Sequence, residues 1–244
     1  MTIKRIRSQP ARIERVWSRF AAAGPLAAAL FLFAPAAPAH EGSSAKADFV
    51  PPAPGSYRLE RIQIVPDGEV LDAGNRRARL SKYTQGRITL LSLMYTSCTD
   101  AGGCPMALYT LQKVRRDLAR RSSTGNRIRM VSLSFDPKRD TPEVMRTYGD
   151  GEAKKPSPVP WYFLTTGSAK DLRPVLDGLG QDVRVPAADA SGAAKPGELS
   201  HMLKVFLIDR EGWVREIYST NFLVPKVIVN DIRTLLLEDG VKLR

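Results

Sequence analysis

The spacing of apolar and polar residues changes several times along the chain, and each change marks an element. Ile88 to Tyr95 (ITLLSLMY) is a nearly unbroken apolar run, the pattern of a strand covered on both faces of a sheet. After a short loop, Cys104-Pro105 opens a helix, because proline suits the first turn, where its missing N–H costs nothing. Ala107, Leu111, Val114 and Leu118 form its buried stripe. Ile128 to Phe135 returns as a strand, Thr141-Pro142 starts a second helix, and Trp161 to Thr165 is a third strand. Ser168 caps a helix with Leu172, Val175, Leu176 and Leu179 on one side. Beyond a long loop from Val185 to Ser200, Leu203–Ile208 and Trp213–Tyr218 flank Asp209-Arg210-Glu211-Gly212 as a hairpin. Pro225 begins a last helix carrying Ile228, Ile232, Leu235 and Leu236.

Ahead of these, Tyr57 to Val65 reads as an opening strand closed by the turn Pro66-Asp67-Gly68. The order of strands and helices predicts one α/β domain from Tyr57 to Arg244, with no repeat and no linker long enough to divide it. His40 to Ser56 is polar, rich in proline and without periodicity, which reads as a flexible leash. Residues 1–39 have the form of an export signal. Six basic residues precede the uncharged stretch Phe20 to Phe33, and Ala37-Pro38-Ala39 offers a small-x-small cleavage site that would leave His40 at the new N-terminus. The alternative is an uncleaved membrane anchor, but the apolar stretch falls short of the ~20 residues that span a bilayer. No cysteine lies near the junction to carry a lipid.

Composition narrows the function. With 43% hydrophobic and 25% charged residues, the chain is neither disordered nor a polytopic membrane protein. The net charge is +12, and losing the leader's six cations and Glu14 leaves +7. A basic exported domain is drawn to acidic protein partners or to an anionic membrane surface. Nucleic acid is not expected: Arg115, Arg116, Arg120, Arg121, Arg127 and Arg129 cluster on what reads as the solvated side and end of a helix, with no aromatic residues interleaved.

The chemistry must pass through few atoms, because the chain has two cysteines and two histidines. Cys98 and Cys104 lie in YTSCTDAGGCP, between a buried strand and a helix N-terminus, where the helix dipole favours a thiolate. A structural disulfide there would close a very short loop and remove only about 2 kcal/mol of unfolded-chain entropy. His201 ends the long loop just before the hairpin; the other histidine, His40, is in the leash. Two thiolates and one imidazole make a three-coordinate site for Cu(I), whereas structural zinc wants four ligands. Thr96, Asp100 and Asp136 are candidates for orienting the thiols, and Met94 and Met106 for core filling or a thioether ligand.

These residues resemble the Sco/SenC family, thioredoxin-fold copper chaperones that help assemble the binuclear copper centre of cytochrome c oxidase. The resemblance runs from Tyr57 to the last helix. It is carried by Tyr95-Thr96 before Cys98, Cys104-Pro105-Met106, the stretch SFDPKRDTP from Ser134 to Pro142, Ser200-His201, Phe206-Leu207-Ile208-Asp209 and Gly212. It implies a thioredoxin-like fold with a central mixed sheet flanked by helices. It also implies one copper ion held by Cys98, Cys104 and His201, an acceptor that is a cytochrome c oxidase subunit, and a periplasmic location. The chain departs from the family in having five residues, not three, between the cysteines. Asp100 keeps the family spacing, so the extra residues fall among Ala101, Gly102 and Gly103, where glycine gives the backbone freedom for the sulfurs to converge.

Two other classes use the same pair. In a thiol-disulfide oxidoreductase Cys98 and Cys104 would be the catalytic redox pair. General oxidoreductases of this fold have two residues between the cysteines and a cis-proline before the hairpin, where this chain has Leu199-Ser200-His201-Met202. A redox or copper sensor would instead need a switchable thiol state and a signalling partner. Since a disulfide has no thiolate to offer, the copper reading also calls for a thiol reductase as partner.

Overall fold

A computed structural model describes residues 49–100, 103–121, 126–184 and 199–243. In chain order the elements are β1 (Gln63–Ile64), β2 (Glu69–Asp72), β3 (Arg77–Arg79), α1 (Ser81–Thr84), β4 (Ile88–Met94), α2 (Cys104–Ala119), β5 (Ile128–Ser134) and α3 (Pro142–Ala153). They continue as β6 (Trp161–Thr165), α4 (Ala169–Gly178), β7 (Val183–Arg184), β8 (Ser200–His201), β9 (Val205–Ile208), β10 (Trp213–Tyr218) and α5 (Pro225–Glu238).

All seven residues of β4 and all seven of β5 are buried, as their apolar runs require. They pair in parallel at the middle of an eight-stranded mixed sheet ordered β1-β10-β9-β4-β5-β6-β2-β3. β6 continues the parallel set beside β5, while β9 runs antiparallel to β4. α2 packs beside α5, α3 against β6 and α4 near β2. Ala107, Leu111, Val114 and Leu118 of α2 are all buried, and Thr141 and Ser168 cap α3 and α4 with their hydroxyls. This is the α/β architecture that the order of strands and helices predicts, with the central mixed sheet that the family resemblance implies. Because β4 and β5 are parallel, their C-terminal ends at Met94 and Ser134 open on the same side, and loops leaving that side are the usual place for a site in an α/β sheet.

Several expectations need correction. The opening strand is shorter than Tyr57–Val65: only Gln63–Ile64 pairs with β10, flanked by bonds from Ile62 N–H to the Val214 carbonyl and Val65 N–H to the Gly212 carbonyl. Before it, the chain already leans on α5. The Gly55 N–H donates to Thr234 Oγ1 at 3.0 Å, Asn230 Nδ2 donates to the Pro52 carbonyl at 2.7 Å, and the Tyr57 hydroxyl donates to Asp231. The end of the predicted leash is therefore held. The β2–β3 hairpin has only Val70, Leu71 and Ala78 as apolar signal and is masked by its charges, yet Val70 is fully buried. Its turn is set by Asp72, which accepts the N–H groups of Gly74 and Arg76, and by Asn75 at φ 59°.

Arg115 is not on a solvated face. It is 4% exposed, donating to the carbonyls of Val159, Glu152 and Lys155 and to the Glu152 carboxylate, so it ties α2 to α3 and its following loop. Next to Val114 on the helix, its long stem stays in the core while its head finds carbonyls there. Residues 1–39, with the expected export signal, and His40 lie outside the described residues. Among the described residues no helix is long and apolar enough to cross a membrane.

Candidate metal centre

Three segments deliver the candidate ligands. Cys98 sits in the loop leaving β4, Cys104 is the first residue of α2, and His201 ends the short strand β8, which pairs with β7 across the close of the long loop. One Sγ from each cysteine and a ring nitrogen of the histidine all lie within 4.8 Å of one another. Cys104 Sγ is 3.8 Å from His201 Nε2. Metal–thiolate and metal–imidazole bonds of about 2.3 and 2.0 Å span that gap with a single ion. The donor set is soft, which favours copper(I) over the hard cations.

The imidazole is aimed from behind. His201 Nδ1 lies 3.1 Å from the Leu199 carbonyl, so it carries the proton and donates, leaving the Nε2 lone pair toward the sulfurs. The ring is walled by Phe135 at 4.9 Å and by Tyr95 edge-on at 5.5 Å between centroids. The Tyr95 hydroxyl in turn accepts the Leu199 N–H at 3.3 Å, so one tyrosine both packs the ring and holds the strand that bears it.

The cysteines differ. Cys98 is half-buried and Cys104 buried, and both are free thiols. Burial pushes the Cys104 thiol up to about 12, and the neighbouring Cys98 adds to the rise. This overturns the expected activation at the helix N-terminus: desolvation of the thiolate outweighs the dipole. Cys104 therefore keeps its proton until a ligand able to replace it arrives, and metal uptake there releases a proton. Burial likewise raises the Tyr95 hydroxyl, and it pushes Tyr148 up to about 12, helped by the nearby Cys104 and Cys98.

Of the residues expected to orient the thiols, Thr96 is fixed two residues ahead of Cys98 by Asp140. Asp140 is fully buried and accepts the Thr96 N–H at 2.9 Å, the Thr96 hydroxyl and the Ser134 hydroxyl. Asp136 is instead paired with Arg139, and its N–H donates to Ser134 Oγ at 3.0 Å. Asp100 accepts the Gly103 N–H with its carbonyl at 2.9 Å, closing the loop ahead of α2. Gly103 itself has φ −94°, so no left-handed backbone is used there, although a Cβ would stand 3.0 Å from the Asp100 carboxylate. Ala101 and Gly102 lie outside the described residues. Met94 is core; Met106 is not, being 46% exposed on α2. Asp140 falls inside the SFDPKRDTP stretch, and the signal that could have found it is an acid directly before the Thr-Pro helix start, although Thr141 and not Asp140 caps that helix.

The sheet order and the two-thiol, one-imidazole cluster together define a thioredoxin-like domain with a candidate soft-metal site at the C-terminal ends of its parallel strands. The SCO1/SenC family model matches residues 70–237, and the chain belongs to that family. The fold is shared with Arabidopsis thaliana ScoI, solved with copper bound, at TM-score 0.59 and 19% identity over 72% of this chain and 99% of that one. Bradyrhizobium japonicum ScoI, also solved with copper bound, gives TM-score 0.56 and 21% identity over 71% of this chain and all of that one. A Stutzerimonas stutzeri protein provisionally named as copper-binding is 26% identical over 161 residues, which is 64% of this chain and 70% of its own.

Proposed function

We propose that the chain is an exported copper carrier whose cargo is one copper ion, taken up by Cys98, Cys104 and His201. The ion passes by ligand exchange to an acceptor protein during assembly of the copper centre of cytochrome c oxidase. The observation that carries this reading is the convergence of the three donor atoms within 4.8 Å from three separate segments. The pre-aimed Nε2 of His201 supports it, and so do family membership and the copper named for the relatives. In this reading residues 1–39 direct export to the periplasm and 57–244 form the carrier domain, with a basic surface that suits an acidic acceptor or an anionic membrane face. A thiol reductase would keep the two sulfurs available.

An ion held by two thiolates and an imidazole is bound firmly, yet half-buried Cys98 and His201 leave it open to attack by an incoming ligand. Cys98 is the natural first point of exchange, because Cys104 is the more deeply buried of the two. Against a general thiol-disulfide oxidoreductase stand the five residues between the cysteines and the segment Leu199-Ser200-His201-Met202 before the hairpin, where the general enzymes of this fold have two residues and a cis-proline.

Anaerobic Cu(I) titration of the reduced protein tests the reading. One ion should bind tightly, Cys98→Ser or Cys104→Ser should nearly abolish binding, and His201→Ala should weaken Cu(I) less than Cu(II). Equal binding by wild type and the double Cys→Ser variant would sink the site.

A further inference from the structure

At the opposite end of β4 and β5 from the cysteines lies a cleft of about 320 Å³. Four cations, Arg76, Lys82, Arg87 and Arg129, line it together with one acid, Asp72, and the rings of Tyr83 and Tyr162. Arg87 immediately precedes β4 and Arg129 is the second residue of β5, so the cleft is separated from the Cys98 loop by the length of a seven-residue strand, roughly 20 Å.

The charges there do not balance within the protein. Asp72 is used up: it accepts the Gly74 N–H at 2.9 Å, the Arg76 N–H at 3.0 Å and Arg76 Nε at 2.8 Å. Among the described residues no carboxylate lies within ion-pair distance of Lys82, Arg87 or Arg129. Arg129 is only 7% exposed. Its guanidinium donates to Thr89 Oγ1 at 3.1 Å, to the Lys82 carbonyl at 2.7 Å and to the Gln85 carbonyl, which satisfies the open end of α1. Those bonds use three of its five N–H groups. Burial and then the like charge of Arg87 push the Arg129 pKa down to about 10, as expected of a cation lacking a counter-charge. A buried cation without an anion is costly, and a bound oxyanion relieves that cost with charge-assisted bonds. The edge-on pair of Tyr83 and Tyr162, 5.2 Å apart, gives the cleft an apolar wall that strengthens such bonds.

We propose that this cleft binds a phosphate-class oxyanion, either free or as the head group of an anionic lipid, through Arg87 and Arg129 with Lys82 at its rim. The proposal does not depend on copper binding. If the anion is a head group, docking turns the Cys98 end of the sheet away from the bilayer, leaving the candidate metal centre open to partners.

The test uses the full chain and its Arg87→Glu and Lys82→Glu variants, with Arg58→Glu as a control of equal charge change on an exposed cation outside the cleft. One arm titrates inorganic phosphate against a chloride background of matched ionic strength. The other measures co-sedimentation with phosphatidylcholine vesicles, with and without phosphatidylglycerol. Saturable phosphate binding weakened on the order of tenfold by Arg87→Glu, and unchanged by Arg58→Glu, supports the free anion. Phosphatidylglycerol-dependent sedimentation with the same variant pattern, without saturable phosphate binding, supports the head group. Absence of both, or equal losses in Arg58→Glu and Arg87→Glu, overturns the proposal. Lys82 is exposed, its ammonium 5.5 Å from the centre of the Tyr83 ring, so loss of binding in Lys82→Glu is readable even if Arg87→Glu perturbs the fold.

Discussion

Asp140 grips Thr96 twice, accepting its N–H at 2.9 Å and its hydroxyl as well, across 44 residues of sequence. Thr96 is two residues from Cys98, so a buried carboxylate at the start of α3 sets the path of the loop that bears the first thiol. The Ser134 hydroxyl, at the end of β5, donates to the same carboxylate and locks the ends of the two parallel strands together.

Asp140→Ala should cost about 2–3 kcal/mol in urea unfolding, because buried donors on Thr96 and Ser134 lose a charged acceptor. Asp140→Asn keeps one oxygen and should cost less. If both variants unfold like wild type, this carboxylate does not hold the loop.

Tyr95→Phe removes the oxygen that accepts the Leu199 N–H while keeping the ring against His201. Loosening the segment behind the imidazole should lower Cu(II) affinity on the order of tenfold, and losing the hydroxyl's hydrogen bond to Cys98 should lower Cu(I) affinity by a smaller factor, since both sulfurs remain as ligands. Competition titrations with both oxidation states read the difference. Equal losses would mean that the hydroxyl has only a general structural role.

Glu152 should account for part of the acid sensitivity. Burial alone would raise its carboxyl, but hydrogen bonds from Lys155 and Arg115 outweigh burial and hold it below the ordinary value of 4.5. A depressed carboxyl contributes stability above its unfolded pKa, and that contribution fades as pH falls through the folded one. Wild type should therefore lose stability below about pH 4.5, whereas Glu152→Gln should start roughly 1.5–3 kcal/mol lower at pH 7 and show a shallower acid slope. Urea unfolding from pH 7 to pH 3 measures both, and an unchanged slope would count against the pairing.

Two glycines of α3 should respond with opposite sign. A Cβ on Gly149 would lie 2.3 Å from Phe163 Cδ2, so Gly149→Ala should destabilise by about 1–3 kcal/mol. A Cβ on Gly151 meets nothing within 4 Å, so Gly151→Ala should stabilise by about 0.5–1 kcal/mol through backbone entropy alone. Thermal melts of the pair are a direct check on the packing of α3 against β6.

Oxidising Cys98 and Cys104 to a disulfide should abolish copper uptake, and reduction should restore it, because the bonded sulfurs offer no thiolate. Mass spectrometry confirms the pairing before titration. Unchanged copper binding by the oxidised protein would defeat the thiolate mechanism.

Sequence alone determined the strands and helices whose signal is local. The apolar runs of β4 and β5, the stripe of α2, and the hydroxyl caps of α3 and α4 are all written within a few residues of each other. The two cysteines and His201 were legible too, because so few residues of the chain can bind a soft metal. What only the tertiary structure decided rests on partners far apart in the chain. Arg115 looked solvated until the carbonyls of Glu152, Lys155 and Val159 closed over it, and Asp140 meets Thr96, 44 residues away in the chain, only once β4 and β5 lie side by side. β2 and β3 were hidden because two or three apolar residues suffice once β6 supplies the rest of the surface. The ionisation of Cys104 reversed for the same reason: a helix start favours a thiolate locally, but burial is a property of the whole fold, and desolvation is the stronger effect.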